Sequence, residues 1–176
     1  MRNRLLAGLL GAFMVLAGCT TPPITTPSVT STVTMGDIAP LITYGPAVPV
    51  PAAGPFNLPA FGIDVPPNAR SVNLTSAVLN LDVENQMKVP LTLAIYLGGN
   101  RDSVYDEANL LGEVNVAPQE SRRISQPVKD PSIFKAEKVW AGIRFATPGS
   151  GGKFVDIEKS DAIVVHTSAT VQVKLF

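Results

Sequence analysis

Residues 79–97 read LNLDVENQMKVPLTLAIYL, and the alternation within this stretch decides the fold class. Apolar and polar residues take turns on both sides of a short polar connection at 85–88. The apolar positions are Leu79, Leu81, Val83, Val89, Leu91, Leu93, Ile95 and Leu97. A period of two is typical of strands that bury one face. The stretch therefore predicts an antiparallel pair of strands with one face on the core.

The same pattern continues to the end of the chain. Further strands are predicted at 61–65, 112–116, 124–128, 139–145, 154–157 and 163–175. No segment shows a sustained helical period of apolar residues. About seven or eight short strands at this spacing predict an all-β, antiparallel β-sandwich, with a small barrel as the alternative.

Three local features refine this prediction. Apolar residues before position 75 lie on the opposite parity to those after 76, so we expect a bulge near Thr75 and Ser76. Asp130 followed by Pro131 is typical of a helix start and predicts a short helix over 131–138. One or two helical turns are expected within 98–111. The fold class thus includes one or two short helices.

The N-terminus carries a different signal. Two basic residues precede an apolar run over 5–16, and the run ends in Leu16-Ala17-Gly18-Cys19. A basic start, an apolar stretch and small residues at the end are typical of a secretory signal peptide, here 1–18. Twelve apolar residues are too few to cross a bilayer of about 30 Å as a helix.

The Leu-Ala-Gly-Cys ending resembles the lipobox of bacterial lipoproteins. The resemblance implies that Cys19, the only cysteine of the chain, carries acyl chains such as palmitate and anchors the mature protein in a membrane. Two or more acyl chains give stable anchoring. Because Thr20 is not the Asp that retains enterobacterial lipoproteins, the resemblance implies an outer-membrane location in the cell envelope. The alternative is that Cys19 is an ordinary small residue near a cleavage site.

Composition divides the mature chain into a tether and a domain that begins with a proline-rich strap. Residues 19–35 are rich in Thr, Pro and Ser and predict a disordered or extended tether. Residues 36–67 hold eight prolines among apolar residues and predict an extended strap over the domain. The β-sandwich domain, including this strap, spans 36–176.

Residues 79–128 resemble the water-stress and hypersensitive-response domain of group-two late-embryogenesis-abundant proteins. The shared outline is LNLDVEN, then VPLTLAIYL, then Gly112, then PQES before a further strand. The resemblance implies an immunoglobulin-like sandwich without known catalytic residues. This chain has Asn85-Gln86 where that family usually has Asn-Pro, and the match covers less than a third of the chain.

Charge and motif content exclude several functions. The chain has equal numbers of basic and acidic residues, and loss of Arg2 and Arg4 leaves a net charge of about −2. Such a balance predicts no nucleic-acid partner. The PGSGG and GSGGK stretches lack residues that a nucleophile elbow or a phosphate-binding loop requires. His166, the only histidine, is interpreted as a strand residue, so we expect no enzyme and no cofactor.

Two groups of residues remain as binding candidates. Trp140 is expected to point outward with Lys138 and Arg144, as a platform for a sugar or a protein partner. The alternative is that the strap or the predicted helix covers it. Asp102, Asp106 and Glu107 share a loop and are the candidate metal ligands, for calcium. A solvated surface is the favoured alternative, and the acidic residues at 156–161 are interpreted in the same way.

These observations together predict a lipid-anchored lipoprotein that acts as a non-catalytic structural or protein-interaction module. The alternative function is an envelope module that binds a glycan or calcium.

Overall fold

The computed structural model describes residues 22–38 and 45–174. The predicted signal peptide and Cys19 lie outside the described residues. The architecture is an all-β sandwich of two five-stranded antiparallel sheets, which confirms the predicted fold class. A separate two-stranded sheet lies at one end of the sandwich.

Twelve strands are found in the described residues. They are β1 (Ile24–Thr25), β2 (Val29–Thr34), β3 (Gly45–Pro49), β4 (Ala53–Asn57), β5 (Phe61–Asp64), β6 (Asn73–Asn85), β7 (Leu91–Gly98), β8 (Leu110–Val116), β9 (Ser121–Pro127), β10 (Lys138–Thr147), β11 (Phe154–Ile157) and β12 (Ala162–Lys174). Two helices of one turn are α1 (Met35–Ile38) and α2 (Pro67–Arg70), and 3₁₀ turns span Glu107–Asn109 and Pro131–Lys135.

The two large sheets have the same plan. In the first sheet, β12 pairs with β6, which pairs with β9, and the short strands β1 and β2 share the other edge of β12. In the second sheet, β10 pairs with β7, which pairs with β8, and β4 and β5 share the other edge of β10. The remaining two strands, β3 and β11, pair only with each other. Each large sheet thus ends in an edge assembled from two short segments.

The core lies between the inner faces of the two sheets. The predicted apolar positions of β6, β7, β10 and β12 are buried there, as alternation requires. Phe134 of the 3₁₀ turn at Pro131–Lys135 is also fully buried and packs against this core. At the start of that turn, the side chain of Asp130 accepts a hydrogen bond from the Ser132 amide at 2.9 Å. The predicted start is confirmed, but the predicted helix over 131–138 is a shorter 3₁₀ turn.

The predicted pairing of β6 with β7 is wrong. These strands belong to opposite sheets, and their apolar faces meet across the core rather than side by side. The buried side chain of Asn85 donates to the carbonyl oxygens of Val89 (3.0 Å) and Ala117 (2.9 Å) and accepts from the Met87 amide (3.0 Å). These bonds hold the chain in a bend that crosses from one sheet to the other. Pro90 also lacks the amide that a hairpin ladder would use at that position.

The predicted tether differs from the structure over its described part. Residues 24–25 and 29–34 are not a free spacer but strands on β12. Thr26 between them is buried, and its hydroxyl accepts a hydrogen bond from the Ala169 amide at 2.9 Å. Val33 is buried as well. β-Branched Thr and Val favour strands, so an open edge on β12 is sufficient to order this stretch.

The strap and the bulge follow the prediction more closely. The described part of the strap forms β3, β4 and the predicted strand β5. The strand count exceeds seven or eight because β3 and β4, together with β1 and β2 of the predicted tether, are not among the predicted strands. Along the β6–β12 ladder, the partner of Gln172 is Ser76 and the partner of Val173 is Leu74. Thr75 is therefore the extra residue, and the predicted bulge is confirmed. Among residues 22–38 and 45–174, no helix is both long and apolar enough to cross a membrane.

Candidate functional site

Trp140 lies half-buried on the outer face of the second sheet, where β10 runs between β5 and β7. Its ladder partners are both glycines, Gly62 and Gly98. The Arg101 guanidinium carbon lies 5.5 Å and the Lys138 ammonium nitrogen 5.8 Å from the centroid of the indole ring. Both distances are within the range of cation–π contacts. The predicted proximity of Trp140 and Lys138 is therefore present, with Arg101 added.

Gly62, one of the two glycines opposite Trp140, makes this arrangement possible. A Cβ atom at Gly62 would lie 2.5 Å from the Lys138 side chain, so the lysine stem lies flat across this position. The Lys138 ammonium also forms an ion pair with Asp64 at 3.3 Å. The Trp140 ring is thus already in contact with two cations of the protein itself.

Arg144 belongs to a neighbouring cluster on the same face. Its guanidinium carbon lies 5.0 Å from the Tyr96 ring centroid and 5.7 Å from that of Tyr105, and its Nε donates to Asn57 Oδ1 at 2.7 Å. The Tyr105 hydroxyl donates to the carbonyl oxygen of Leu58, and burial raises the pKa of this hydroxyl. The loop after β7 thus packs on this face, with Val104 fully buried beneath it.

The candidate calcium ligands are not assembled into a site. Asp102, Asp106 and Glu107 are exposed, and no group of three or more metal-binding side chains occurs among the residues that the structure describes. The amide of Asp102 donates to Asn100 Oδ1 at 2.9 Å, a bond typical of a simple turn. The metal candidate is therefore not supported, because the three carboxylates do not converge.

The acidic residues near 158 stabilise a turn instead. The Asp161 carboxylate accepts a hydrogen bond from the Glu158 amide at 3.1 Å, and Glu158 forms an ion pair with Lys88 at 3.5 Å. His166 lies on the outer face of the first sheet, where its Nδ1 is 2.8 Å from the Thr30 hydroxyl. Near it, Arg123 pairs with Asp82 at 2.7 Å and lowers the pKa of that carboxyl. The predicted role of His166 as a strand residue agrees with its position on β12.

An apolar cavity of about 220 Å³ lies at the end of the sandwich where β6 and β10 finish and β7 and β12 begin. Sequence reasoning missed it. Residues from six separate segments line it: Met35, Pro49, Val50, Pro51, Ala53, Phe56, Met87, Lys88, Val89, Leu91, Phe145, Thr147, Val155, Ile157 and Asp161. The cavity lies between the inner faces of the two sheets and is an extension of the core that no side chain of residues 22–38 and 45–174 fills.

The two-stranded sheet β3–β11 contributes one wall of this cavity. Val155 and Ile157 of β11 line it, whereas Phe154 on the same strand points away and is 70% exposed. A clamp at the end of β3 holds this sheet in place. The Val50 amide donates to Ser150 Oγ at 3.0 Å, and the Ser150 amide donates to the Val50 carbonyl oxygen at 2.9 Å. Gly149, at φ +82°, allows this close approach of the two segments.

The polar side chains of the described lining bond to other groups of the protein. The Thr147 hydroxyl donates to the Pro90 carbonyl oxygen at 2.8 Å and accepts from the Gly149 amide at 3.0 Å. Asp161 is held in its turn, as described above. Lys88 is the basic residue of the described lining, and its side chain is 32% exposed. The interior consequently presents hydrocarbon, with the Lys88 cation and the Asp161 carboxylate as the charged groups of the described lining.

A signal for this cavity is present in the strap, although its meaning depends on the fold. Phe56 pairs in the ladder with Phe145, lies 5.4 Å from it between ring centroids, and remains 41% exposed. An aromatic residue on an inner face is expected to be covered by the opposite sheet. Its exposure marks the place where the sandwich is open.

No family model and no curated protein matches this chain. Two solved structures show limited similarity. A latent aurone synthase (polyphenol oxidase), co-crystallised with hexatungstotellurate(VI) and soaked in H2O2, is 9% identical over 70% of this chain and 26% of that chain, with a TM-score of 0.36. A chain of the infectious bursal disease virus Gx strain is 13% identical over 89% of this chain and 43% of that chain, with a TM-score of 0.26. Similarity at this level supports no conclusion about function.

Proposed function

We propose that this chain is a lipid-anchored, non-catalytic interaction module of the bacterial cell envelope, tethered to the outer membrane through acyl chains on Cys19. Its resemblance to bacterial lipoproteins rests on the lipobox at 16–19. We also propose that its sandwich is related to the water-stress and hypersensitive-response domain. The module works by presenting surfaces rather than by turnover.

The observation that carries the proposal is the direction in which the chain enters the sandwich. Ile24 of β1 pairs with Val171, near the end of β12. The next strand, β2, continues in the same direction along β12 as far as Ala162, the first residue of β12. Four residues lie between Cys19 and Ile24, so the two Cα atoms are at most about 18 Å apart. An anchor at Cys19 therefore holds the β1 end close to the bilayer. The opposite end, with the cavity, lies roughly 30 Å away along β12, since nine residue steps separate Val171 from Ala162.

Site-specific crosslinking in intact envelopes tests the interaction role. Because Cys19 is the only cysteine, a photocrosslinker attached to an introduced thiol reports on a single position once Cys19 is acylated. We expect Ser160→Cys, at the outer end, to yield a defined protein crosslink. Gln172→Cys, at the anchored end of the same exposed surface, is the matched control and should yield none or a different product.

The two parts of the proposal fail separately. Metabolic labelling with an alkyne fatty acid should tag the wild type and leave Cys19→Ser untagged. Label that persists in Cys19→Ser contradicts the anchor. If the wild type is labelled but the Ser160→Cys variant yields no crosslinked species, the interaction role is contradicted.

A further inference from the structure

We infer that the cavity between the sheets is a binding site for a single unbranched acyl chain that ends in a carboxylate, with the tail among the core side chains and the carboxylate against Lys88. This inference goes beyond the proposed function, because it names a small ligand rather than a protein partner. It concerns the described residues alone and does not depend on acylation of Cys19.

The size of the cavity suits an alkyl chain. An apolar cavity of about 150 Å³ in an engineered protein stays dry and binds benzene. The present cavity of about 220 Å³ is larger and accommodates an alkyl segment of roughly eight to ten carbons on the same scale. Leu91 and Phe145 on one side and Val155 and Ile157 on the other provide apolar walls for it.

The chemistry of the lining excludes polar groups on the part of the ligand that lies inside the cavity. The Thr147 hydroxyl makes one donated and one accepted hydrogen bond within the protein, and the Asp161 carboxylate serves its turn. A polar group carried into the cavity would lose water without gaining a partner, which is costly. A methylene chain incurs no such loss and gains free energy by leaving water.

Lys88 supplies the position of the head group. Its ammonium lies 3.5 Å from Glu158 Oε1, and the Glu158 side chain is 64% exposed. An exposed ion pair of this kind contributes little to stability and exchanges readily. A ligand carboxylate whose tail fills the cavity can replace Glu158 as the partner of Lys88. The long stem of lysine allows the ammonium to follow the head group to the surface.

The wall formed by β3–β11 gives a route of entry. Within the part of the chain that the structure describes, this sheet has no ladder to either large sheet and is clamped through the contact of Ser150 with Val50. Movement of two short strands is a smaller rearrangement than separation of the large sheets. Phe56, partly exposed beside the cavity, extends the apolar surface toward the opening.

A series of fatty acids of increasing chain length provides the test. Binding of each to the full chain carrying Cys19→Ser is measured by titration calorimetry. We expect saturable binding with one site per chain. Affinity should rise roughly fourfold per added methylene from hexanoate to about decanoate, and then level off as the cavity fills. A rise that continues to tetradecanoate without levelling indicates general partitioning onto apolar surface and overturns the inference. So does the lack of any saturable binding.

Variants locate the site. Val155→Phe places a larger side chain inside the cavity and should weaken decanoate binding at least about tenfold. Phe154→Ser on the same strand, which points outward, is the matched control and should bind as the parent does. Equal binding by Val155→Phe and the parent overturns the inference. All variants share the same N-terminal apolar run, so its own affinity for fatty acids cancels.

A separate substitution tests the role of Lys88 in binding the head group. It also keeps the inference testable if Val155→Phe fails to fold. Lys88→Met keeps an apolar stem but removes the cation, and it should weaken decanoate binding roughly threefold to tenfold. Binding of decanol, which carries no charge, should be unchanged by the same substitution. Equal loss of both ligands, or of neither, overturns the role of Lys88. Lysophosphatidylcholine distinguishes a free fatty acid from a phospholipid as the source, since its head group offers no carboxylate.

Discussion

At the scale of single residues, one buried amide determines the path of the chain. Asn85 is fully buried at the end of β6, and its three hydrogen bonds reach Met87 and Val89 in the connection before β7 and Ala117 just after β8. An alternating strand pattern continues on both sides of it, so the pattern alone favours a hairpin. The bonds of Asn85 instead stabilise a crossing between sheets.

Asn85→Ala is expected to destabilise the protein by about 2–4 kcal/mol. The substitution leaves two carbonyl groups and one amide without their partner in a buried setting, where unmet hydrogen bonds are costly. Urea unfolding followed by fluorescence of Trp140 measures the change. Asn115→Ala is the control, since Asn115 is exposed and its side chain bonds only to Thr92 in the described contacts. We expect a loss of less than about 0.5 kcal/mol there, and equal losses at both positions would contradict the assignment.

The pH dependence of stability follows from exposed carboxylates with lowered pKa values. A side-chain hydrogen bond from Arg123 lowers the pKa of Asp82, and the amide and hydroxyl of Thr34 lower that of Asp37. Because the folded-state pKa lies below the unfolded value, this stabilisation is complete above about pH 4. It is lost as the pH falls through the folded-state pKa values.

Unfolding midpoints in urea between about pH 6 and pH 2 check this expectation. The decline toward acid should be shallower in Asp82→Asn than in the wild type. Arg123→Gln is the reciprocal control, because it removes the donor that lowers the pKa of Asp82 and should flatten the decline in the same way. Identical acid limbs in all three proteins would show that this pair does not contribute.

At the scale of elements, small residues on the outer face of the second sheet determine how loops pack on it. Gly142 lies outward on β10, and a Cβ atom there would be 2.8 Å from the Tyr105 ring. The ring lies flat on the strand at this point, and the loop after β7 follows it. Tyr96, Tyr105 and Arg144 therefore form one cluster rather than three separate surface side chains.

Gly142→Ala is expected to destabilise the protein by about 1–3 kcal/mol, since the added methyl group displaces the Tyr105 ring from the strand. Gly99→Ala is the matched control, because a Cβ atom at Gly99 meets nothing within 4 Å. Thermal unfolding of the two variants compares them directly. If Gly142→Ala unfolds at the same temperature as the wild type, the Tyr105 ring accommodates a methyl group without cost in stability.

The N-terminal strands give a second prediction at this scale. If β1 and β2 are integral to the first sheet, residues 24–34 resist a non-specific protease in the native protein. Val33→Asp places a charge at a buried position and should release the segment for early cleavage. Thr32→Asp, at the neighbouring exposed position, should leave the segment protected. Mass spectrometry of the first cleavage products distinguishes the two, and cleavage of the wild type within 24–34 would contradict an ordered edge.

At the scale of the whole molecule, the pairing of β1 and β2 with β12 leaves a short spacer. Only residues 20–23 lie between Cys19 and β1. In the proposed lipid-anchored form, a spacer of this length would hold the sandwich close to the membrane with the β1 end facing it. A fluorophore on Gln172→Cys is therefore expected to be quenched by brominated lipid in reconstituted vesicles, and one on Ser160→Cys is not. Equal quenching at both positions would mean that the domain tumbles freely on its anchor.

Much of the sandwich could be predicted from the sequence, but its cavity could not. Alternation along β6, β7, β10 and β12 is a local property, because successive side chains of a strand point to opposite faces. The bulge at Thr75 follows from the same rule. The cavity combines residues from 35 to 161, and each of them has the pattern of an ordinary core or loop residue. Packing that leaves a space unfilled has no local signature.

The sequence by itself determined the long central strands β6, β7, β10 and β12 and the inward side of each, and it predicts an anchor at Cys19. These depend on neighbours along the chain, where alternation and small-residue motifs are directly readable. Only the tertiary structure decided that β6 and β7 lie in opposite sheets, that the Thr-rich segment joins the edge of β12, and that a space remains beneath β3–β11. Each of these depends on contacts between residues far apart in sequence, which compete for the same strand edges and the same core volume.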